Sequence, residues 1–156
     1  MAVLGSSSAH WSGQNADPLC IFGYHRLDGN NSIVGTETRV GSGEANTKSL
    51  VSTIGHVAYT GIGDTITAQY AAKICADYRG GGYDDWFLPS RDELDLLCQN
   101  LHSHHLGGFF DVGYYWGSSE GSRHYAWSKH FYTGCNYHNY YYCKFCFFRV
   151  RSIRAF

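Results

Sequence analysis

Tyr132-Thr133-Gly134-Cys135-Asn136-Tyr137-His138-Asn139-Tyr140-Tyr141-Tyr142-Cys143-Lys144-Phe145-Cys146-Phe147-Phe148 is dense in aromatic residues yet contains no Leu, Ile or Met. A buried strand pair draws on branched aliphatic side chains with defined rotamers. Buried tyrosines would also each need a hydrogen-bond partner for the hydroxyl. The stretch therefore reads as short strands and loops that face solvent, held on a core built elsewhere in the chain.

Working outward from it, two kinds of residue interleave from Trp116 onward. One kind reads as framework: Trp116, Ser118, Ser119, Glu120, Ala126, Trp127, Phe131, Gly134, and the closing Arg149-Val150-Arg151. The other kind draws on a narrow alphabet: Ser122, His124, Tyr125, Ser128, His130, Tyr132, Thr133, Cys135, Tyr137, His138, Asn139, Tyr140, Tyr141, Tyr142, Cys143, Phe145, Cys146, Phe147 and Phe148. Tyr, His, Asn, Ser, Cys and Phe have codons ending in a pyrimidine and are reached from an asparagine codon by changing its two adenines. Lys129 and Lys144 are not reached in this way, and they read as fixed positions. Tyr supplies large amphipathic contact area at little cost in rotamer entropy, and Ser and Asn supply adaptable hydrogen bonds. The second set has the composition of a binding surface.

Further upstream, two helices are expected. Thr65 to Tyr78 spaces Ile66, Tyr70 and Ile74 along one face, with Asp64 or Thr65 as cap and Gly80-Gly81-Gly82 as stop. Ser90 followed by Glu93 forms a capping box, and Leu94, Leu97, Cys98 and Leu101 make the apolar stripe of the second helix. Between the helices, Tyr83-Asp84-Asp85-Trp86-Phe87-Leu88-Pro89 reads as a buried aromatic turn around Trp86, with Asp84 and Asp85 as solvated carboxylates. The first sixty residues, rich in Gly, Ser and Asn, read as short strands joined by long loops. Neither a tandem repeat nor a linker divides the chain, so one domain spanning 1–156 is expected.

Composition excludes several classes. A net charge of −1 and a pI near 6.7 argue against nucleic acid or an anionic membrane as partner. The longest apolar runs fall well short of the roughly 20 residues of a membrane helix. Met1-Ala2-Val3-Leu4-Gly5 lacks the basic segment of a signal peptide. The six cysteines are unevenly spaced, and Cys135, Cys143 and Cys146 fall within the aromatic stretch, a poor pattern for a disulfide framework.

Tyr115-Trp116-Gly117-Ser118-Ser119-Glu120, Ala126-Trp127, Phe131, Gly134 and the terminal Arg149-Val150-Arg151-Ser152-Ile153-Arg154-Ala155-Phe156 resemble the variable proteins of diversity-generating retroelements. Gly80 to Ser90 with Glu93-Leu94 is similar to a domain of unknown function associated with them. Two positions depart from the pattern: Gly117 stands where relatives usually carry Ser, and Lys129 where Gln is frequent. The resemblance implies an α+β domain with a C-type-lectin-like fold of the formylglycine-generating-enzyme type, two helices packed on a small, mostly antiparallel sheet with long loops. It also implies that a reverse transcriptase of the element rewrites the end of the gene with errors at template adenines. The variable residues would then form a surface over about 114–156 that binds a protein or other surface molecule, on a virion or a cell. Trp86, Trp116, Glu120, Trp127, Gly134, Arg149 and Arg151 would be its scaffold. Two other readings stay open: an enzyme of the formylglycine-generating type, and a structural surface or virion component.

No catalytic set and no cofactor is expected. Neither a Ser-His-Asp arrangement nor paired carboxylates are legible, and the tripeptides of calcium-dependent sugar binding are missing. Cys143 and Cys146, with Cys135 and His138, have the residue types of a zinc site, but these are also residues that adenine change yields. His102, His104 and His105 read as a polar helix end rather than as metal ligands.

Overall fold

The computed structural model describes residues 17–27, 30–31, 33–61, 65–132, 135 and 139–156. Strands β1 (Leu19–Cys20), β2 (Arg26–Leu27) and β3 (Asn30–Asn31) precede helix α1 (Gly43–Ile54), and β4 (Ala58–Tyr59) and β5 (Ile66–Thr67) precede α2 (Ala71–Ala76). Helix α3 (Arg91–Asn100) leads to β6 (Gly113–Glu120), β7 (Tyr125–Phe131), β8 (Asn139–Cys143) and β9 (Phe148–Arg149). The fold is α+β. Five strands form a sheet in the order β1-β9-β6-β7-β8, and β2-β3 and β4-β5 form two small ribbons. The β6–β9 pairing is parallel, and the other pairings of the large sheet are antiparallel.

Neighbouring residues of β6 point to opposite faces of the sheet and join different cores. Trp116 packs with Phe22, Leu50, Tyr70, Ala71 and Val150. Tyr115 packs with Phe87, Leu94, Leu97, Phe131 and Ile153. The indole of Trp116 also donates to the Cys20 carbonyl at 3.0 Å, which ties β6 to β1. A buried ion pair joins the two ends of the described chain. Arg151 grips Asp17 through Nε at 2.6 Å and Nη2 at 2.7 Å, and the Tyr115 hydroxyl donates to the same carboxylate at 2.5 Å.

Helix α3 starts where its capping box predicts. Ser90 Oγ accepts from the Glu93 amide at 3.3 Å, and Glu93 Oε2 accepts from the Ser90 amide at 2.8 Å. Glu93 Oε1 also accepts from the Gly41 amide at 2.9 Å, so the cap fixes the loop before α1 as well. Leu94, Leu97 and Cys98 are buried, as their spacing predicts.

Two corrections concern helices. Among the described residues three α-helices are present rather than two, and α1 buries Gly43, Asn46, Thr47 and Leu50 in place of an apolar stripe. Its inward polar groups are satisfied by the segments packed against it. Asn46 accepts from the Glu37 amide at 2.8 Å and donates to Ser118 Oγ at 3.1 Å, and Thr47 Oγ1 accepts from the Leu88 amide at 3.0 Å. A Cβ at Gly43 would stand 2.9 Å from the Leu88 carbonyl and the Ser90 amide, so the helix can approach this closely only with glycine there. The helix expected over Thr65 to Tyr78 is confined to Ala71–Ala76. Ile66 and Thr67 pair instead with Tyr59 and Ala58, and Tyr70 is an extended residue that caps α2. The alternative cap, Asp64, lies outside the described residues.

A third correction concerns cysteine. Cys98 and Cys135 form a disulfide, with Cα atoms 5.7 Å apart, that fastens the segment after β7 to α3. Cys98 faces inward on α3, and Cys135 adopts a left-handed φ of 50° in reaching it.

Candidate functional site

Strand β8 forms one edge of the large sheet, and its residues alternate between two aromatic groups. Tyr141 stands opposite Trp127 in register, with ring centroids 3.8 Å apart, and the Arg91 guanidinium lies 5.0 Å from the Trp127 ring. Tyr140 stands opposite Ser128 and Tyr142 opposite Ala126. Both belong to a group centred on Tyr114, whose ring lies 4.6 Å from His130, 6.1 Å from Tyr140 and 4.9 Å from Tyr142 and from Phe148. The Tyr114 and Tyr142 hydroxyls share a hydrogen bond at 3.0 Å. That bond, with partial burial, pushes the Tyr114 hydroxyl up to about 12. Tyr114, His130, Tyr132 and Tyr140 line a concavity of about 360 Å³.

Exposure separates the two sets of residues with few exceptions. Tyr125, Tyr132, Tyr140, Tyr141, Phe145 and Phe147 are all exposed, Phe147 by 67% and Tyr141 by 54%. His124 is exposed as well, and Ser122, His130, Asn139, Cys143 and Cys146 are half-buried. Within 139–148, Lys144 alone is buried. Its ammonium meets Glu120 Oε1 at 2.7 Å, and Glu120 Oε2 accepts from the Val34 and Gly35 amides at 2.8 and 3.1 Å. Burial lowers the Lys144 pKa and the Glu120 carboxylate opposes that shift. Lys129 is likewise buried, 2.6 Å from Asp95 of α3.

Two residues assigned to the binding set lie inside. Ser128 is 1% exposed because it pairs with Trp116 in register, and its hydroxyl donates to the Tyr140 carbonyl at 3.3 Å. Cys135 is buried in the disulfide. Ser122 is partly structural, since its hydroxyl accepts from the His124 and Tyr125 amides at 3.3 and 3.2 Å and shapes the β6–β7 turn. Thr133, Tyr137 and His138 of the binding set, and Gly134 of the scaffold, lie outside the described residues.

Among the scaffold residues, Trp86, Trp116, Glu120 and Arg151 are buried. Trp127 and Arg149 are half-buried. Arg149 donates to the Asp17 carbonyl at 3.0 Å and covers the Phe110 ring at 4.2 Å. Tyr142 belongs to the narrow-alphabet residues, whereas Tyr114 does not. Its signal is the strand period, which puts Tyr114 on the same sheet face as Trp116 two residues on.

The remaining chemical candidates stand apart from one another. Cys143 and Cys146 bring their sulfurs to 2.9 Å across a turn closed by the Cys146 amide on the Cys143 carbonyl at 2.8 Å. Burial, and next the neighbouring thiol, push Cys146 up to about 11. No group of three or more metal-ligating side chains is assembled among the described residues. His102 is buried with its ring 5.2 Å from Phe131, whereas His104 and His105 are exposed. Asp85 is held by Arg154 through two contacts of 2.8 Å. No helix among the described residues is long and apolar enough to cross a membrane. Compared with protein-family models and with curated proteins, the chain matches none.

Proposed function

We propose that this chain is a ligand-recognition protein of the diversity-generating-retroelement type, on a C-type-lectin-like frame, and that it binds rather than catalyses. The observation that supports the reading is the match between residue type and exposure. The side chains reachable by adenine change include the exposed Tyr125, Tyr132, Tyr140, Tyr141, Phe145 and Phe147. The two lysines that are not reachable are buried in ion pairs with Glu120 and Asp95. Ser128 and Cys135 run against the division, and both touch the framework directly. Binding would rest on shape and hydrogen-bond complementarity to a protein or other surface molecule, with a few aromatic anchors supplying most of the affinity.

The test is deep sequencing of the gene across a population of its carriers, with the flanking DNA. Substitutions confined to adenine-derived codons of the binding set, beside a near-identical repeat and a reverse transcriptase gene, are the expected result. Uniform variation across framework and surface codons would overturn the reading.

A further inference from the structure

We infer that the concavity lined by Tyr114, His130, Tyr132 and Tyr140 is an aromatic cage for a quaternary ammonium group. The inference rests on the reading of this face as a binding surface and names the chemistry that one part of it selects. The volume of about 360 Å³ accommodates a trimethylammonium group with the atoms that carry it. Tyr140 and His130 are inclined at 81° and 56° to Tyr114, while the His130 and Tyr132 rings lie 6.1 Å apart at 20° to each other.

The floor is rigid. Tyr114 is backed by Tyr142 and Phe148, each 4.9 Å away, and its hydroxyl is held by Tyr142. The walls His130, Tyr132 and Tyr140 belong to the residues expected to vary, so the cage would combine a fixed base with selected sides.

The electrostatics favour a cation of one kind. Aromatic faces carry negative quadrupole density and attract positive charge, most strongly where water is displaced. Among the described residues no carboxylate lines the cavity. A primary ammonium would therefore leave its hydration shell for phenol hydroxyls and the His130 imidazole, with no carboxylate to meet it. A quaternary ammonium has no N–H to satisfy and loses less on entry.

The experiment is a titration of the whole chain with choline chloride, followed by backbone amide resonances. The same titration is run with 3,3-dimethylbutan-1-ol, the neutral isostere. Choline is expected to bind saturably, to move the resonances of residues 114, 130, 132 and 140, and to bind at least about tenfold more tightly than the isostere. Tyr140→Leu should weaken choline by about tenfold and change the isostere by no more than about twofold. Should that variant not fold, the isostere comparison on the unaltered chain decides. Equal binding of the two compounds, shifts centred elsewhere, or no saturation by about 100 mM choline would overturn the inference. Phosphocholine and Nε-trimethyllysine amide, titrated next, distinguish a headgroup from a modified side chain as the carrier. A failure here leaves the population-sequencing result standing, and a uniform sequencing result leaves the choline comparison standing.

Discussion

At the scale of single residues, two tryptophans expected to play one role play different ones. Trp116 is fully buried, so Trp116→Ala should cost about 3–5 kcal/mol in denaturant unfolding. Trp127 is half-buried between Arg91 and Tyr141, and Trp127→Ala should cost only about 1–2 kcal/mol. Equal losses would contradict the placement of Trp127 near the surface. Lys144 lies within a run of exposed aromatics, yet Lys144→Ala should be severe. It strands the Glu120 carboxylate, 2% exposed, on the Val34 and Gly35 amides, at a cost of about 3–5 kcal/mol. A melt unchanged from the unaltered chain would remove the ion pair from the framework. Codon reasoning singled out both lysines, and it did so without reference to their surroundings. The same reasoning misread Ser128 and Cys135, because composition cannot tell the inward from the outward positions of an alternating strand.

At the scale of elements, legibility followed the kind of interaction that builds each one. Helix α3 was readable because a local signal, Ser90 with Glu93, is followed by an apolar stripe. Helix α1 was not, because its buried face is made of Asn46 and Thr47, whose partners Glu37, Ser118 and Leu88 come from other segments. The start of α2 was overextended because Ile66 and Tyr70 have helical spacing but are claimed by strand pairings with Tyr59 and Ile21. The disulfide was hidden for a similar reason, since 37 residues separate its cysteines and only the packing of α3 against the sheet brings them together. Reduction should lower unfolding free energy by about 2–4 kcal/mol, and Cys98→Ala with Cys135→Ala should reproduce that loss. An unfolding curve insensitive to reductant would show that α3 and the segment after β7 are held without it.

At the scale of the whole molecule, both ends of the described chain and the aromatic segment converge on one framework. Asp17 and Arg151 join the ends, and Glu120 and Lys144 join β6 to the turn after β8. Two buried histidines make this framework sensitive to acid. Burial holds His25, which faces Glu120 and Lys144, and His102, which faces Asp111 and His105, below their ordinary value of 6.5. The unfolded chain therefore binds more protons, and stability present above pH 6.5 is lost as pH falls through the folded values. The melting temperature should drop as pH falls below about 6.5, and His102→Gln should reduce the drop. A drop of unchanged size in that variant would assign the acid sensitivity elsewhere. The central claim, a surface free to vary on a frame that is not, is tested most directly by a displayed library. Tyr125, Tyr132, Tyr140, Tyr141, Phe145 and Phe147 are randomised together, and the protease-resistant fraction is measured beside a second library at Trp116, Glu120, Lys144 and Arg151. Most members of the first library and few of the second should resist proteolysis; comparable loss in both would contradict the account.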